Sequence, residues 1–237
     1  MSIVYDTYKF DLIDSTNSEA RRQVLSGIKL PALFVAKRQT AGRGRRGKSF
    51  WSVGGLYMTL ALRAEDINTD KITTLASVAT AKVIEKLSGE TVGIKWVNDI
   101  YKGGLKICGI LAETVTDNIT GKPLAVIIGI GANLNVNAFP KELDGIAGSL
   151  KLKGIEPYTL AEKIAETLLD MIEENEDFME YYKSRSTVIG KDICYTKNGE
   201  CYIATATNIN PDGSLEVLLD DGETEILTSG EISLIKK

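Results

Sequence analysis

The chain has 237 residues, 43% of them hydrophobic, and a formal net charge of −4. That is enough apolar material for one sizeable core, or a large domain with a small companion, and it offers no general attraction to nucleic acid or anionic membrane. Histidine is absent, which excludes His-based triads, His metal sites and His general bases. The three cysteines, Cys108, Cys194 and Cys201, leave at least one without an intrachain partner, and none sits in a C-x-x-C pair. A disulfide framework and a zinc site are therefore not expected, and a reducing cytoplasm fits best. Residues 1–10 carry no leader-like run, and the most apolar stretch, 124–130, is far too short to span a bilayer.

In chain order, Asp14-Ser15-Thr16-Asn17 is a cluster of helix-capping residues ahead of a short helix over 19–25 that stops near Gly27. Residues 33–37 predict a strand, and 39–52, rich in Gly and Arg without an apolar period, a loop. Residues 55–63 are apolar with aromatic and β-branched members, hence a strand. Ile72, Leu75, Ala76, Ala79, Val83, Ile84 and Leu87 recur at helical spacing and predict a helix over 71–87. A short strand at 93–97 follows, then a turn at Lys102-Gly103-Gly104, then paired strands over 107–115 and 124–130. Residues 160–182 predict one long helix with an acidic exposed face. After residue 186 the pattern shifts to short runs at 192–196, 201–208, 215–219, 225–227 and 232–235, broken by Gly-containing turns, the spacing of a small β-barrel. The expected fold class is α+β: a mixed β-sheet covered by helices on one side over residues 1–186, then a small barrel over 187–237. The loops 40–52 and 137–148 are expected to be mobile and to order around a ligand.

The segment 42–49, GRGRRGKS, satisfies both G-x-x-x-x-G-K-[ST] and G-x-G-x-x-G. Both patterns need a helix to start at the motif. The residues that follow, FWSVGGLY, argue for a loop entering a strand instead. The charge is informative by itself. Arg43, Arg45, Arg46 and Lys48 put four cations in six residues, and Gly42, Gly44 and Gly47 allow close backbone approach. Such a loop suits polyphosphate, nonspecific nucleic acid, or plain solvation. Phe50 and Trp51 follow at once and could stack on a base, which favours a nucleotide.

Four further segments complete a recognisable set: Ser15-Thr16-Asn17, then KWVNDIY over 95–101, KICGILAE over 106–113 and GIGANLN over 129–135. With residues 39–52, their order and spacing resemble the catalytic domain of biotin–protein ligases, and Gly230-Glu231-Ile232-Ser233 resembles the last strand of that family's small C-terminal domain. The resemblance implies a class II synthetase-like mixed sheet followed by an SH3-like barrel. It also implies biotin and ATP as substrates, with Mg2+ on the phosphates, and a biotin carboxyl carrier domain of a biotin-dependent carboxylase as the acceptor. It assigns biotin or adenylate contacts to Ser15, Thr16, Asn17, Gln39, Gly42, Arg43, Gly44, Arg45, Arg46, Lys48, Phe50, Trp51, Asn98, Lys106, Gly109, Leu111 and Asn133. Taken alone, Ser15 to Asn17 reads equally well as a helix cap. Val97 stands where the family usually has proline, and Phe50-Trp51 reverses a usual order. A DNA-binding segment ahead of Ser15 is not expected, nor is membrane association, and a homodimer is left open.

The implied reaction joins an anion to a polyanion, so charge neutralisation and alignment dominate. Lys106 can bridge the biotin carboxylate and the α-phosphate, with Arg43 among the phosphate-holding cations. Asp99 is a candidate to orient the acceptor amine, and equally an Asx turn residue. Cys108, in an apolar strand with no histidine to activate it, reads as a structural thiol. The nearest rival is a lipoate–protein ligase. An RNA-binding protein is opposed by the negative charge and the non-basic C-terminal segment.

Overall fold

In the computed structural model, which describes residues 4–197 and 199–235, the apolar runs of the first part become neighbours in one sheet. In chain order it contains β1 (Asp6–Phe10), α1 (Thr16–Leu25), β2 (Ala32–Ala36), β3 (Leu56–Arg63), α2 (Ile72–Ser88), β4 (Gly93–Lys95), β5 (Asp99–Lys102), β6 (Leu105–Thr116), β7 (Pro123–Ala132), α3 (Pro157–Glu173) and α4 (Met179–Ser184). The seven strands lie in the order β1-β2-β3-β7-β6-β5-β4. β1 runs parallel to β2, and the remaining pairs are antiparallel. Gly103 and Gly104, at φ +58° and +79°, close the β5–β6 hairpin in the left-handed backbone that such a two-residue turn demands. β1 was not anticipated: it is half exposed and carries charge, so its short edge pattern does not stand out.

Helices cover both faces of this sheet, not one. Leu33, Val35, Met58 and Leu60 face α2 and α3, while Ala32, Phe34 and Ala61 face Ala20 and Val24 of α1. The reason is visible in β2, where all five residues are buried, as they must be in a strand covered on both sides. The single helix expected over 160–182 is two. Asn175 takes a left-handed φ of +49°, and the Asp177 carboxylate accepts from the Met179 N–H at 3.2 Å, restarting the chain as α4.

The last part holds β8 (Asp192–Lys197), β9 (Glu200–Ile209), β10 (Leu215–Leu218), β11 (Thr224–Leu227) and β12 (Ile232–Leu234). They form an antiparallel sheet in the order β11-β10-β9-β8-β12, consistent with a small SH3-like unit. Among the described residues no backbone ladder joins β11 to β12, so the barrel is not closed by main-chain bonds. The sheet is curled nonetheless. Tyr195 Oη of β8 donates to Glu225 Oε2 of β11 at 2.8 Å, across two intervening strands that would separate them by roughly 14 Å if flat. The expectation that no disulfide would form is corrected, while at least one cysteine does stay unpaired. Cys194 and Cys201 form a disulfide, because they are diagonal neighbours on one face of the β8–β9 hairpin with Cα atoms 5.7 Å apart. Cys108 is free and buried. Among the described residues, no helix is long and apolar enough to cross a membrane.

Candidate active site

The loop after β2, the start of α1, the middle of β6 and β7, the β4–β5 turn and the segment before β12 converge on a cavity of about 290 Å3. One end is a hydrogen-bonding floor. Thr16, the first residue of α1, donates its backbone N–H to Gln39 Oε1 at 2.8 Å, and Gln39 Nε2 donates to Ser52 Oγ at 3.1 Å. Ser15 sits at the helix N-cap but makes no capping bond with its side chain. Instead it lines the cavity with Thr16, Asn17 and Gln39, so the cap reading of this cluster accounts for backbone position only. Gly129 and Gly131 of β7 form part of the same wall. A Cβ on Gly129 would come within 2.0 Å of Asn17 Oδ1, and one on Gly131 within 2.7 Å of the Phe50 ring. These glycines let Asn17 and Phe50 lie flat on the strand.

The other end is cationic. Lys106 Nζ lies 2.7 Å from Asp99 Oδ1, and Lys95 stands close by on the wall. Burial pushes the Lys95 ammonium below its ordinary pKa, with the Asp99 charge opposing. Arg45 donates to Asn98 Oδ1 at 2.8 Å and to the Gly230 carbonyl at 3.0 Å, and burial weakens its hold on the proton as well. Asn98 is itself fixed by donating to the Ile110 carbonyl at 2.8 Å. Lys48 pairs with Glu231 at 2.8 Å, so the C-terminal sheet supplies part of the wall. Tyr57 brings an almost wholly buried phenol to the cavity, its hydroxyl without a partner and its pKa raised by burial.

The structure thus gathers Ser15, Thr16, Asn17, Gln39, Arg43, Gly44, Arg45, Lys48, Phe50, Asn98, Asp99, Lys106, Gly109 and Leu111 around one space. Four expected contacts stand elsewhere. Gly42 packs inside its own loop, where a Cβ would meet the Phe50 carbonyl at 2.6 Å. Arg46, at φ +53°, turns out to solvent. Trp51 packs on Phe139 at 5.5 Å between ring centres, leaving Phe50 as the ring at the cavity. Asn133 is buried and donates to the Gly148 carbonyl at 3.0 Å, holding a loop rather than lining the wall. The Gly-rich motif leads into a short turn over Arg45–Gly47 and then a strand, as the residues after it required. Cys108 is fully enclosed, and burial raises its thiol pKa far above the range of a nucleophile. Lys95, Tyr57 and the 230–233 segment were not singled out as contacts. Lys95 carried a usable signal, a lone lysine beside tryptophan in a strand that is otherwise apolar.

A cavity with hydrogen-bonding groups at one end and a cluster of cations at the other suits an enzyme that couples a polar-headed acid to a nucleotide, that is, an acyl-adenylate-forming ligase. The model of the biotin/lipoate A/B protein ligase family matches residues 10–133, and the chain belongs to that family. It is 34% identical to the bifunctional ligase/repressor BirA of Bacillus subtilis over 92% of this chain and 71% of that protein. Identity to the biotin–[acetyl-CoA-carboxylase] ligase of Mycobacterium tuberculosis is 29%, covering 92% of this chain and 85% of that one. Its fold is that of the Aquifex aeolicus biotin protein ligase solved with biotin and ATP, with a TM-score of 0.81, 24% identity, and 98% and 99% of the two chains covered.

Proposed function

We propose that this chain is a biotin–protein ligase that forms biotinyl-5′-AMP from biotin and ATP and transfers biotin to one lysine of a biotin carboxyl carrier domain. The observation that carries this reading is the Lys106–Asp99 pair at the cationic end of a cavity whose other end is a hydrogen-bonding floor. The naming of several relatives as biotin ligases supports it. Biotin's ureido ring would take the floor at Ser15, Thr16, Asn17 and Gln39, its apolar body the space beside Phe50, Gly109 and Leu111, and its carboxylate the vicinity of Lys106. One carboxylate oxygen attacks the α-phosphorus of ATP and pyrophosphate leaves. Lys106 stabilises charge on both partners, and Arg43, Arg45 and Lys48 balance the phosphates. In the second step the acceptor amine attacks the acyl carbon and AMP leaves. Asp99 orients that amine and takes its proton.

Magnesium enters with ATP as part of that substrate. Among the described residues no group of three or more acidic or cysteine side chains is placed to hold a metal, so phosphate oxygens and water would hold the ion. Residues 1–186 form the catalytic unit in this reading and 187–237 an SH3-like companion. The enzyme is cytoplasmic in this reading and acts without binding membrane; light scattering at two concentrations tests for a homodimer. The direct assay is incubation with ATP, magnesium and either biotin or lipoate, followed by mass analysis. Biotinyl-AMP, and a carrier domain gaining one biotin, are expected. Adenylate formation with lipoate alone would overturn the assignment.

A further inference from the structure

Beneath the cavity floor, hydrogen bonds join Thr16 and Asn17 to two side chains that the reaction itself does not use, Thr59 and Glu113. Thr59, wholly buried within β3, is 2.7 Å from Asn17 Oδ1 and 2.9 Å from Thr16 Oγ1. Asn17 Nδ2 donates to Glu113 Oε2 of β6 at 2.9 Å. The other Glu113 oxygen faces Arg43 at 3.2 Å and Arg21 at 3.5 Å. Each link constrains the next. A carboxylate can only accept, so the Asn17 amide must turn its nitrogen to Glu113 and its oxygen to Thr59. The single Thr59 hydroxyl hydrogen is then committed to Asn17 Oδ1, and the Thr59 oxygen is left to accept from Thr16. The Thr16 hydroxyl hydrogen has two acceptors in reach, Thr59 Oγ1 at 2.9 Å and Gln39 Oε1 at 3.2 Å, and with either one its oxygen keeps an unused lone pair at the cavity floor. Its backbone N–H is already given to Gln39.

We infer that Glu113 is a positioning residue that fixes the direction of this relay, so that Thr16 faces the cavity as an acceptor and selects an acid whose head group carries an N–H donor. The inference rests on the ligase reading and deepens it. A ureido head offers N–H groups, whereas a dithiolane head offers none and would leave the oxygen of Thr16 buried and unpaired. Asn17 cannot swing away from the relay, because its amide lies against the bare backbone of Gly129.

The test compares Thr59→Val, Thr59→Ser and Glu113→Gln with the unaltered chain by biotin calorimetry and by steady-state kinetics. Thr59→Val is isosteric, breaks the relay and touches neither arginine. Thr59→Ser keeps the hydroxyl. Thr59→Val and Glu113→Gln should bind biotin about tenfold more weakly, the size expected for one misdirected hydrogen bond. The KM for ATP should move less than about twofold, and Thr59→Ser should restore biotin binding. Biotin binding unchanged in both Thr59→Val and Glu113→Gln would overturn the relay while leaving the ligase reading intact. A fall in kcat with no change in biotin affinity would also overturn it, by reducing Glu113 to a structural prop. Failure of the unaltered chain to bind biotin would overturn the ligase reading, and the relay's ligand with it.

Discussion

Lys106 is held by Asp99 at 2.7 Å and lies on the same wall as Gly109, where a Cβ would come within 3.2 Å of the lysine's Cε and Nζ. A preorganised cation of this kind stabilises charge that develops only as the two anions approach. Lys106→Ala should therefore keep its circular dichroism spectrum and lose at least about a hundredfold in biotin-dependent ATP–pyrophosphate exchange, roughly 3 kcal/mol or more. Near-normal exchange by the folded variant would remove Lys106 from the reaction. At this scale the sequence was most legible where residue type is tied to chemistry: Arg43, Arg45, Lys48, Lys106, Asn98, Asp99 and the Ser-Thr-Asn cluster all reach the cavity. It was least legible where neighbours in the chain diverge in space. Phe50 and Trp51 are adjacent, yet one ring meets the cavity and the other meets Phe139. That choice is made by the loop's tertiary contacts, not by local preference. Thr59 did leave a trace, a lone hydroxyl between Met58 and Leu60 in a buried strand, and buried hydroxyls need partners.

Among the elements, α2 and the strands other than β1 and β5 were readable to within a residue or two, because β-branched runs and a four-turn apolar stripe are strong periodic signals. The break between α3 and α4 was not. It depends on Asn175 taking a positive φ and on the Asp177 carboxylate accepting from the Met179 N–H, weak signals amid acidic residues that also suit a helix. The loop over 137–148, expected to be mobile along its length, is anchored at its far end. Lys106 donates its N–H to the Ile146 carbonyl at 2.9 Å, Gly148 donates to the Lys106 carbonyl at 2.8 Å, and Asn133 Nδ2 holds the Gly148 carbonyl. The backbone of Lys106 is thus pinned by the very loop that Asn133 secures. Asn133→Ala should cost on the order of 1–3 kcal/mol of stability, the range for leaving a buried acceptor unpaired. It should also speed amide exchange at Lys106 and Gly148 and lower kcat by misplacing Lys106. Exchange at those two amides equal to that of the unaltered chain would show that Asn133 does not anchor the loop.

Across the whole molecule, the two sheets share one core. Ile193, Tyr195, Ala206, Leu215 and Val217 of the C-terminal sheet belong to the same buried cluster as Val78 of α2 and Ile94 and Ile110 of the larger sheet. Polar ties cross the same junction. Trp96 Nε1 donates to the Gly213 carbonyl at 2.9 Å, Arg45 to the Gly230 carbonyl at 3.0 Å, and Lys48 pairs with Glu231. Two units that share one apolar cluster expose it if either unfolds alone, so partial unfolding forfeits burial on both sides at roughly 25 cal/mol per Å2. A single cooperative transition is therefore expected in calorimetry, with the van't Hoff and calorimetric enthalpies in agreement. Trp96→Phe, which keeps the ring and removes the N–H donor, should lower that transition by a few degrees without splitting it. Arg45→Ala cuts the tie at the cavity itself, so it should weaken ATP binding more than it lowers the melting temperature. Two resolved transitions in the unaltered chain would mean that the 187–237 unit is merely tethered to the catalytic unit, and that Gly230 and Glu231 approach the cavity only part of the time.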